Sequence, residues 1–227
     1  MDISTTAARR ISVLAWTTAA AGTVLGQVHA LARAQAHPHD FEESPLARAW
    51  GEPATRALRP LLDWSDPWTV YVTWGKIWLP VCLGFTAAAY LVYRRRWPQG
   101  AERRLWQLTL VAYLAMALSV AGDYFTPWMD AMFVVGIGAM LVIGLGGIAL
   151  GALMLRNGFR PRTTPVLLAI FLPFLFAVTT VTSLGSSLLP LMWGWAVAAQ
   201  AVVSSDAALP EREAGSARDA LVRQAGR

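Results

Sequence analysis

Three ionisable side chains lie inside or at the ends of long apolar runs, where a charge is unexpected. They are His29, Lys76 and Asp123. A charged group in hydrocarbon is costly, so it is usually paired, hydrated in a cavity or functional. An imidazole can carry a proton or bind a ligand, and an ammonium can pair with a carboxylate. These three residues are therefore the first candidates for a site.

His29 follows Gly22 and Gly26 at helical spacing, so the three residues share one face of the first apolar helix. Small residues mark the face on which helices approach one another closely. We therefore predict that His29 points into a helix bundle. There it is either a hydrogen-bonded core residue or a group that carries a proton or binds a ligand.

Lys76 is the only lysine and lies about ten residues after Pro67, roughly 15 Å into the second apolar helix. One interpretation is a side chain that extends to the outer interface beside Trp74 and Trp78. The other is an inward-facing lysine paired with an acid, for which Asp123 is the natural partner. Asp123 is alternatively a charge in a water-exposed link after the third run.

Four hydroxyl side chains near the end of the fifth apolar run lie at the same predicted level as these charges. Polar groups from several helices are then predicted to meet at the outer side of the membrane. The cytoplasmic halves of the same helices contain no comparable group of polar residues. We therefore predict an outward-facing polar pocket. Its predicted lining residues are His29, Lys76, Asp123, Thr179, Thr180, Thr182 and Ser183.

The segment His37-Pro38-His39-Asp40 is the one metal-like cluster of the sequence. Imidazole and carboxylate groups suit zinc, copper or nickel, which makes His37, His39 and Asp40 weak candidate ligands. Pro38 limits how the two imidazoles converge, and acidic residues that follow are typical of a solvated loop. We therefore expect neither a metal site nor a cofactor.

Hydrophobic residues make up 56% of the 227 residues and charged residues 15%, against about 25% in soluble domains. This balance excludes an ordinary soluble enzyme and predicts an all-α polytopic membrane bundle. Cys82 is the only cysteine, which excludes an intrachain disulfide. The sequence lacks the common nucleotide-binding and hydrolase motifs, and no basic stripe in a soluble segment indicates nucleic-acid binding.

We predict one transmembrane domain over residues 1–205 and a flexible cytoplasmic tail over 206–227. Ser44-Pro45 and Asp66-Pro67 are typical helix starts, because the first residue caps free N–H groups and proline follows. Pro80 predicts a kink in the second span. The six predicted spans are about 11–32, 67–93, 105–122, 127–155, 165–183 and 187–204. The loop 33–66 is predicted to form short amphipathic helices at the membrane surface, or a packed loop.

Charge predicts the orientation. Arginine-rich loops prefer the cytoplasm, so the clusters at 9–10, 94–104 and 156–162 are predicted to lie inside. Eight of the 14 acidic residues then fall in the outer segments. Both termini are cytoplasmic if there are six spans, and the alternative is five spans with the tail outside. A cleaved signal peptide over residues 1–36 is the alternative to a retained first span.

The absence of enzyme motifs favours a non-catalytic accessory or assembly subunit in the inner membrane of a bacterium. Its partners would be lipids and other membrane proteins, which would contact the glycine faces that carry Gly22, Gly26, Gly147 and Gly151. The first alternative is a small transporter or ligand-binding protein that uses the polar pocket. The second is an intramembrane enzyme that acts on a lipid or quinone, with His29 as base.

Overall fold

The structure is a computed structural model that describes residues 3–39 and 44–206. All regular elements in these ranges are helices. They are α1 Thr5–Ala36, α2 Pro45–Ala57, α3 Arg59–Leu62, α4 Pro67–Gly75, α5 Trp78–Arg96, α6 Gly100–Phe125, α7 Met129–Arg156, α8 Thr163–Ala169, α9 Phe171–Thr179, the 3-10 helix η1 Leu184–Leu188, and α10 over residues 189–206. The predicted tail beyond residue 206 lies outside the described residues.

Five helical segments are long and apolar enough to cross a membrane, which fits a multi-pass membrane protein. They are Thr5–Ala36, Pro67–Arg96, Gly100–Phe125, Met129–Arg156 and Leu184–Asp206. The remaining predicted span, 165–183, is not one long helix. Most of it is formed by the two short helices α8 and α9, which meet at Ile170. The all-helical fold class is confirmed.

The predicted caps of α2 and α4 are confirmed. The Ser44 side chain accepts a hydrogen bond from the Ala47 N–H at 3.3 Å, and the Asp66 carboxylate accepts one from the Thr69 N–H at 3.0 Å. Hydrogen bonds from Thr69 lower the pKa of Asp66 because they stabilise its charged form. These caps satisfy N–H groups that a helix start leaves without a partner.

The second predicted span is broken at residues 76–77. Pro80 has no N–H to donate to the carbonyl of Lys76, and that carbonyl accepts from the Leu79 N–H at 3.3 Å instead. The Ile77 N–H likewise bonds the carbonyl of Trp74, at 3.2 Å. This tighter turn ends α4 and begins α5, so the predicted kink is present as a short 3-10-like link.

One end of the bundle, here called the arginine end, is the end where Arg95, Arg96 and Asp206 lie. Arg95 donates to the carbonyl of Ile3 at 3.0 Å and contacts the Asp206 carboxylate at 2.8 Å. These contacts hold the start of α1, the end of α5 and the end of α10 together.

Glu102 ties further helix ends together at the arginine end. Its carboxylate accepts hydrogen bonds from Arg96 at 2.6 Å, Asn157 at 2.6 Å and Trp106 at 3.3 Å. The side chain is buried, and charge-assisted hydrogen bonds of this kind offset the cost of burying a carboxylate. The network joins α5, α6 and the residue that ends α7.

The opposite end, here called the pocket end, is the end where Trp50, Asp123 and Thr180 lie. Ser44 donates to the carbonyl of Thr180, and the Trp50 indole donates to the carbonyl of Val181 at 2.6 Å. The short amphipathic helix α2 is therefore fastened to the chain just after α9.

The four glycines predicted to meet other proteins are covered within the chain itself. A side chain at Gly22 would collide with Val81, and one at Gly26 would collide with Trp78. On α7, Gly147 and Gly151 lie directly against backbone carbonyls of α8. These glycines allow α1 to approach α5 and α7 to approach α8 more closely than larger residues would permit.

Candidate functional site

A cavity of about 70 Å³ opens at the pocket end, where α1, α4, α5, α6, α7 and η1 converge. Its lining combines aromatic rings with a few polar groups. The polar and aromatic lining residues are His29, Arg33, Tyr71, Trp78, Ser119, Asp123, Tyr124, Phe133 and Ser183. Three predicted pocket residues, His29, Asp123 and Ser183, therefore meet in one cavity although they come from three separate segments.

His29 is buried, with 2% of its surface exposed, and both of its ring nitrogens have protein partners. The Trp78 indole N–H donates to Nδ1 at 3.0 Å, and the Tyr124 hydroxyl lies 3.1 Å from Nε2. Tyr71 stacks on the imidazole with ring centroids 5.0 Å apart, and its hydroxyl lies 3.5 Å from that of Tyr124. The predicted inward orientation of His29 is thus what the structure has.

The partner of Nδ1 determines how His29 acts. An indole N–H can only donate, so Nδ1 must accept and cannot carry a proton. The neutral ring then holds its single proton on Nε2 and donates it to the Tyr124 oxygen. A charged imidazolium would break the bond to Trp78, so the geometry favours a fixed positioning role over proton transfer.

Two small residues fix the ring of Trp78 against His29. A side chain at Gly26 on α1 would come within 2.7 Å of the indole, and one at Gly185 on η1 would come within 2.5 Å. The indole therefore fills the gap between α1 and η1, and its N–H reaches Nδ1 of His29. Gly185 is thus part of the support of the site.

Two buried polar atoms of the site have no hydrogen-bond partner among the residues that the structure describes. These are Oδ1 of Asp123 and Oγ of Ser183, and both residues line the cavity. Ser183 is 7% exposed, while Asp123 is half-buried at the end of α6. A buried acceptor without a partner costs about 1–3 kcal/mol, so these atoms favour a bound donor in the cavity.

A wider groove of about 530 Å³ adjoins the cavity, and Asp123 and Tyr124 line both. Lys76 lies in this groove, exposed, with its Nζ atom 5.4 Å from the centre of the Phe125 ring. Lys76 and Asp123 thus share the groove, but among the described residues they form no ion pair. Of the two interpretations of Lys76, the ion pair with Asp123 is therefore not formed, because Lys76 extends over Phe125 instead.

The four hydroxyl residues predicted to line the pocket do not stay together in the structure. Thr179 and Thr180 are exposed and donate back to the carbonyls of Phe176 and Ala177 in α9, so neither lines the cavity.

Thr182 donates to the side chain of Gln27 at 3.1 Å, and that amide in turn bonds Ser186 at 3.2 Å. Thr182 thereby fastens the end of the 163–183 segment to α1. Of the four predicted hydroxyls, Ser183 is the one that lines the cavity.

Six of the polar and aromatic lining residues were not among those predicted from the sequence: Arg33, Tyr71, Trp78, Ser119, Tyr124 and Phe133. Arg33 could have been found, because it lies one helical turn after His29 and shares its face. The aromatic residues gave no comparable signal, since tryptophan and tyrosine near a helix end are typical of a membrane interface in general.

The weak metal candidate gains no support from its surroundings. The ring of His37 lies 5.8 Å from those of Trp68 and Tyr71, edge to face, and Asp40 lies outside the described residues. Within residues 3–39 and 44–206, no three side chains of the metal-binding types converge.

No family model matches the chain, and neither a curated protein nor a solved structure matches it. The function must therefore be argued from the site itself.

Proposed function

We propose that this chain is a multi-pass protein of a bacterial inner membrane that binds a small polar ligand in an outward-facing cavity. In this topology the chain crosses the membrane six times and both termini are cytoplasmic, so the arginine end faces the cytoplasm. The excess of arginine at that end supports this orientation, since arginine-rich loops prefer the cytoplasm.

Contacts at both ends of the bundle support a sixth crossing. Pro165, in α8, lies with its carbonyl against Gly151, close to where α7 ends at the arginine end, whereas Thr180, just after α9, contacts Ser44 at the pocket end. The stretch 163–179 is about 17 residues long, roughly 26 Å, which is close to the thickness of the hydrocarbon core. A broken helix of this length suits a span buried against its neighbours.

The observation that carries the ligand-binding proposal is the pair of unpartnered acceptors in the cavity, Asp123 Oδ1 and Ser183 Oγ. A buried polar atom without a partner is expensive, because it has lost its hydrogen bonds to water and gained none from the protein. A bound molecule that donates hydrogen bonds would satisfy both atoms. The neutral imidazole of His29 and the rings around it would form the rigid wall that such a molecule needs.

Binding is better supported than transport. Beyond the cavity, toward the arginine end, the core contains the buried rings of Phe85, Tyr113 and Trp195. The one polar pairing among these rings is closed, because the Trp195 indole donates to the Tyr113 hydroxyl at 2.9 Å. A transporter needs a polar path across the bundle, and these packed rings offer none.

Catalysis is also less well supported. The imidazole of His29 is engaged on both nitrogens, and Cys82 is fully buried. A general base must reach a reacting proton, and an Nδ1 atom that accepts from an indole is not available for this.

A second candidate, the accessory subunit expected from the sequence, is favoured by one feature of α7. Gly138 is exposed with open space around it, and Val134, Leu141 and Leu145 on the same helix are also exposed. Such a notch admits a helix of another membrane protein as readily as it admits lipid. A Gly138→Leu variant that loses a partner protein retained by a Val135→Leu control would support this candidate.

The ligand-binding proposal is tested by the molecules that purify with the protein. Wild type, Asp123→Asn and the control Asp130→Asn would be purified in mild detergent and extracted for mass spectrometry of polar solutes and lipids. Asp130 is an exposed acid near the same end of the bundle, so its loss should not matter. We expect one compound to be retained by wild type and control and lost from Asp123→Asn. Equal contents in all three samples would contradict the proposal.

A further inference from the structure

We propose that the cavity binds a primary ammonium group joined by a short linker to an anion, the chemistry of an ethanolamine phosphate. This inference rests on the proposed ligand-binding function and names the class of ligand. The ammonium would lie in the small cavity beside Asp123 and Ser183, and the anion would lie in the adjoining groove beside Lys76.

The unpartnered acceptors require a donor. The Asp123 carboxylate only accepts hydrogen bonds, and Ser183 presents a second buried oxygen to the same cavity. A primary ammonium supplies three N–H donors and a positive charge, so one group can satisfy both oxygens. A quaternary ammonium carries no N–H and would leave both of them without a partner.

The aromatic lining suits a cation. Tyr71, Trp78 and Tyr124 line the cavity, and ring faces attract an ammonium within about 6 Å of their centres. The three rings are almost fully buried and hold one another through His29, so they form a rigid surface.

Hydrogen bonding also separates the two common ammonium head groups. A trimethylammonium offers no N–H to Asp123 or Ser183, so the structure disfavours choline-type head groups.

The positive charge in the groove selects a zwitterion over a bare cation. Lys76 lies in the groove, and Asp123 lines both the groove and the cavity. The ammonium of Lys76 opposes a lone cation beside Asp123, but it favours a ligand whose anion follows its own ammonium at a short distance. The groove, at about 530 Å³, has room for a phosphate.

The groove also has an apolar margin. Trp68 and Phe125 line it and are about half exposed, so acyl chains attached to the phosphate could remain beside these rings. The shared chemistry is therefore an ammonium with a nearby phosphate, whether it comes from a lipid head group or from a free solute.

The test is a melting series on the purified full-length protein in detergent. The lipid arms are phosphatidylethanolamine, phosphatidylcholine and phosphatidylglycerol with identical acyl chains, and the soluble arms are phosphoethanolamine and phosphocholine. We expect the ethanolamine compounds to raise the melting temperature, with affinities about tenfold or more above those of the choline compounds. A response to phosphatidylethanolamine without one to phosphoethanolamine identifies a lipid, and the reverse identifies a solute.

Variants show where the ligand binds. Asp123→Asn and Ser183→Ala should abolish the ethanolamine response, Lys76→Met should weaken it, and Asp130→Asn should retain it. Ser183→Ala is the second variant in case Asp123→Asn alters folding, which the melting temperature without ligand would reveal. Equal responses to ethanolamine and choline, or a response kept by both Asp123→Asn and Ser183→Ala, would overturn the inference.

Failure of this inference differs from failure of the proposed function. If no ethanolamine compound stabilises the protein while another molecule purifies in an Asp123-dependent manner, the ligand class is wrong and the binding function stands. If the purified wild type also retains no such molecule, both are wrong.

Discussion

His29 links four elements through one imidazole. It belongs to α1, and it bonds Trp78 of α5 and Tyr124 of α6 while Tyr71 of α4 stacks on its ring. Each ring nitrogen thus has a partner that determines its protonation, and the ring cannot turn over without losing one of these bonds. The histidine therefore defines the wall of the cavity.

The position of the proton on the neutral His29 ring can be predicted from its two partners. We expect nitrogen NMR of histidine-labelled protein to show one buried imidazole with its proton on Nε2, because Nδ1 accepts from the indole of Trp78. The other two histidines, His37 and His39, are exposed and serve as internal references. A Trp78→Phe variant removes the indole donor and should free Nδ1. A proton on Nδ1 in the wild type would contradict the geometry.

The site could be predicted from the sequence only where a simple helical repeat holds. His29 was placed correctly because Gly22 and Gly26 mark its face on a continuous helix. Lys76 follows Gly75 at the break before α5, so the depth counted from Pro67 along one continuous helix no longer applies there. Its side chain instead extends over Phe125.

At the scale of elements, close helix contacts depend on particular glycines. Gly75 ends α4 against the ring of Tyr124, where an added Cβ atom would lie 2.0 Å from the ring. Gly138, on α7, has no atom within 4 Å of an added Cβ. The same substitution to alanine can therefore be compared at a crowded glycine, Gly75, and at an open one, Gly138.

Alanine at these glycines should have opposite effects. Gly138→Ala should stabilise the protein or leave it unchanged, since alanine favours a helix by about 1 kcal/mol over glycine. Gly75→Ala should lower the melting temperature clearly, because the buried Tyr124 ring has no room to move. Thermal melting of both variants in the same detergent measures the difference. Equal melting temperatures for the two variants would show that α4 and α6 are not in close contact.

Glu102 gives a second test of element packing. Glu102→Ala leaves Arg96, Asn157 and Trp106 without their shared acceptor, and we expect a loss of about 1.5–3 kcal/mol in unfolding free energy. The exposed Glu52 supplies the control, as Glu52→Ala should change stability little. A stable Glu102→Ala protein would mean that this network does not hold the arginine end together.

Which elements form could be predicted well, because the length of apolar runs and the caps at Ser44 and Asp66 are local properties of the chain. The segment 163–183 was harder. Its two short helices meet at Ile170, and its last residues pack through Thr182 on Gln27 of α1. Such contacts between distant segments are invisible to a local pattern, which explains why Thr179 and Thr180 were expected in the pocket.

At the scale of the whole molecule, the proposed topology can be tested by labelling single cysteines in intact cells. Native Cys82 is fully buried and should not react. With six spans, a membrane-impermeant maleimide should label Thr180→Cys in intact cells, and it should label Arg160→Cys and Ser205→Cys only after permeabilisation. All three positions are exposed in the structure. Labelling of Ser205→Cys from outside would instead favour five spans.

If the bundle holds a polar cavity that is open to the outside, a cysteine in place of Ser183 should react with reagents added outside the cell. Ser183 is buried but lines the cavity, whereas Cys82 is buried in the packed core. A small, charged, impermeant methanethiosulfonate added to intact cells should modify Ser183→Cys and spare the wild type. If Ser183→Cys is as unreactive as Cys82, or reacts only after the membrane is permeabilised, the outward-facing cavity is contradicted.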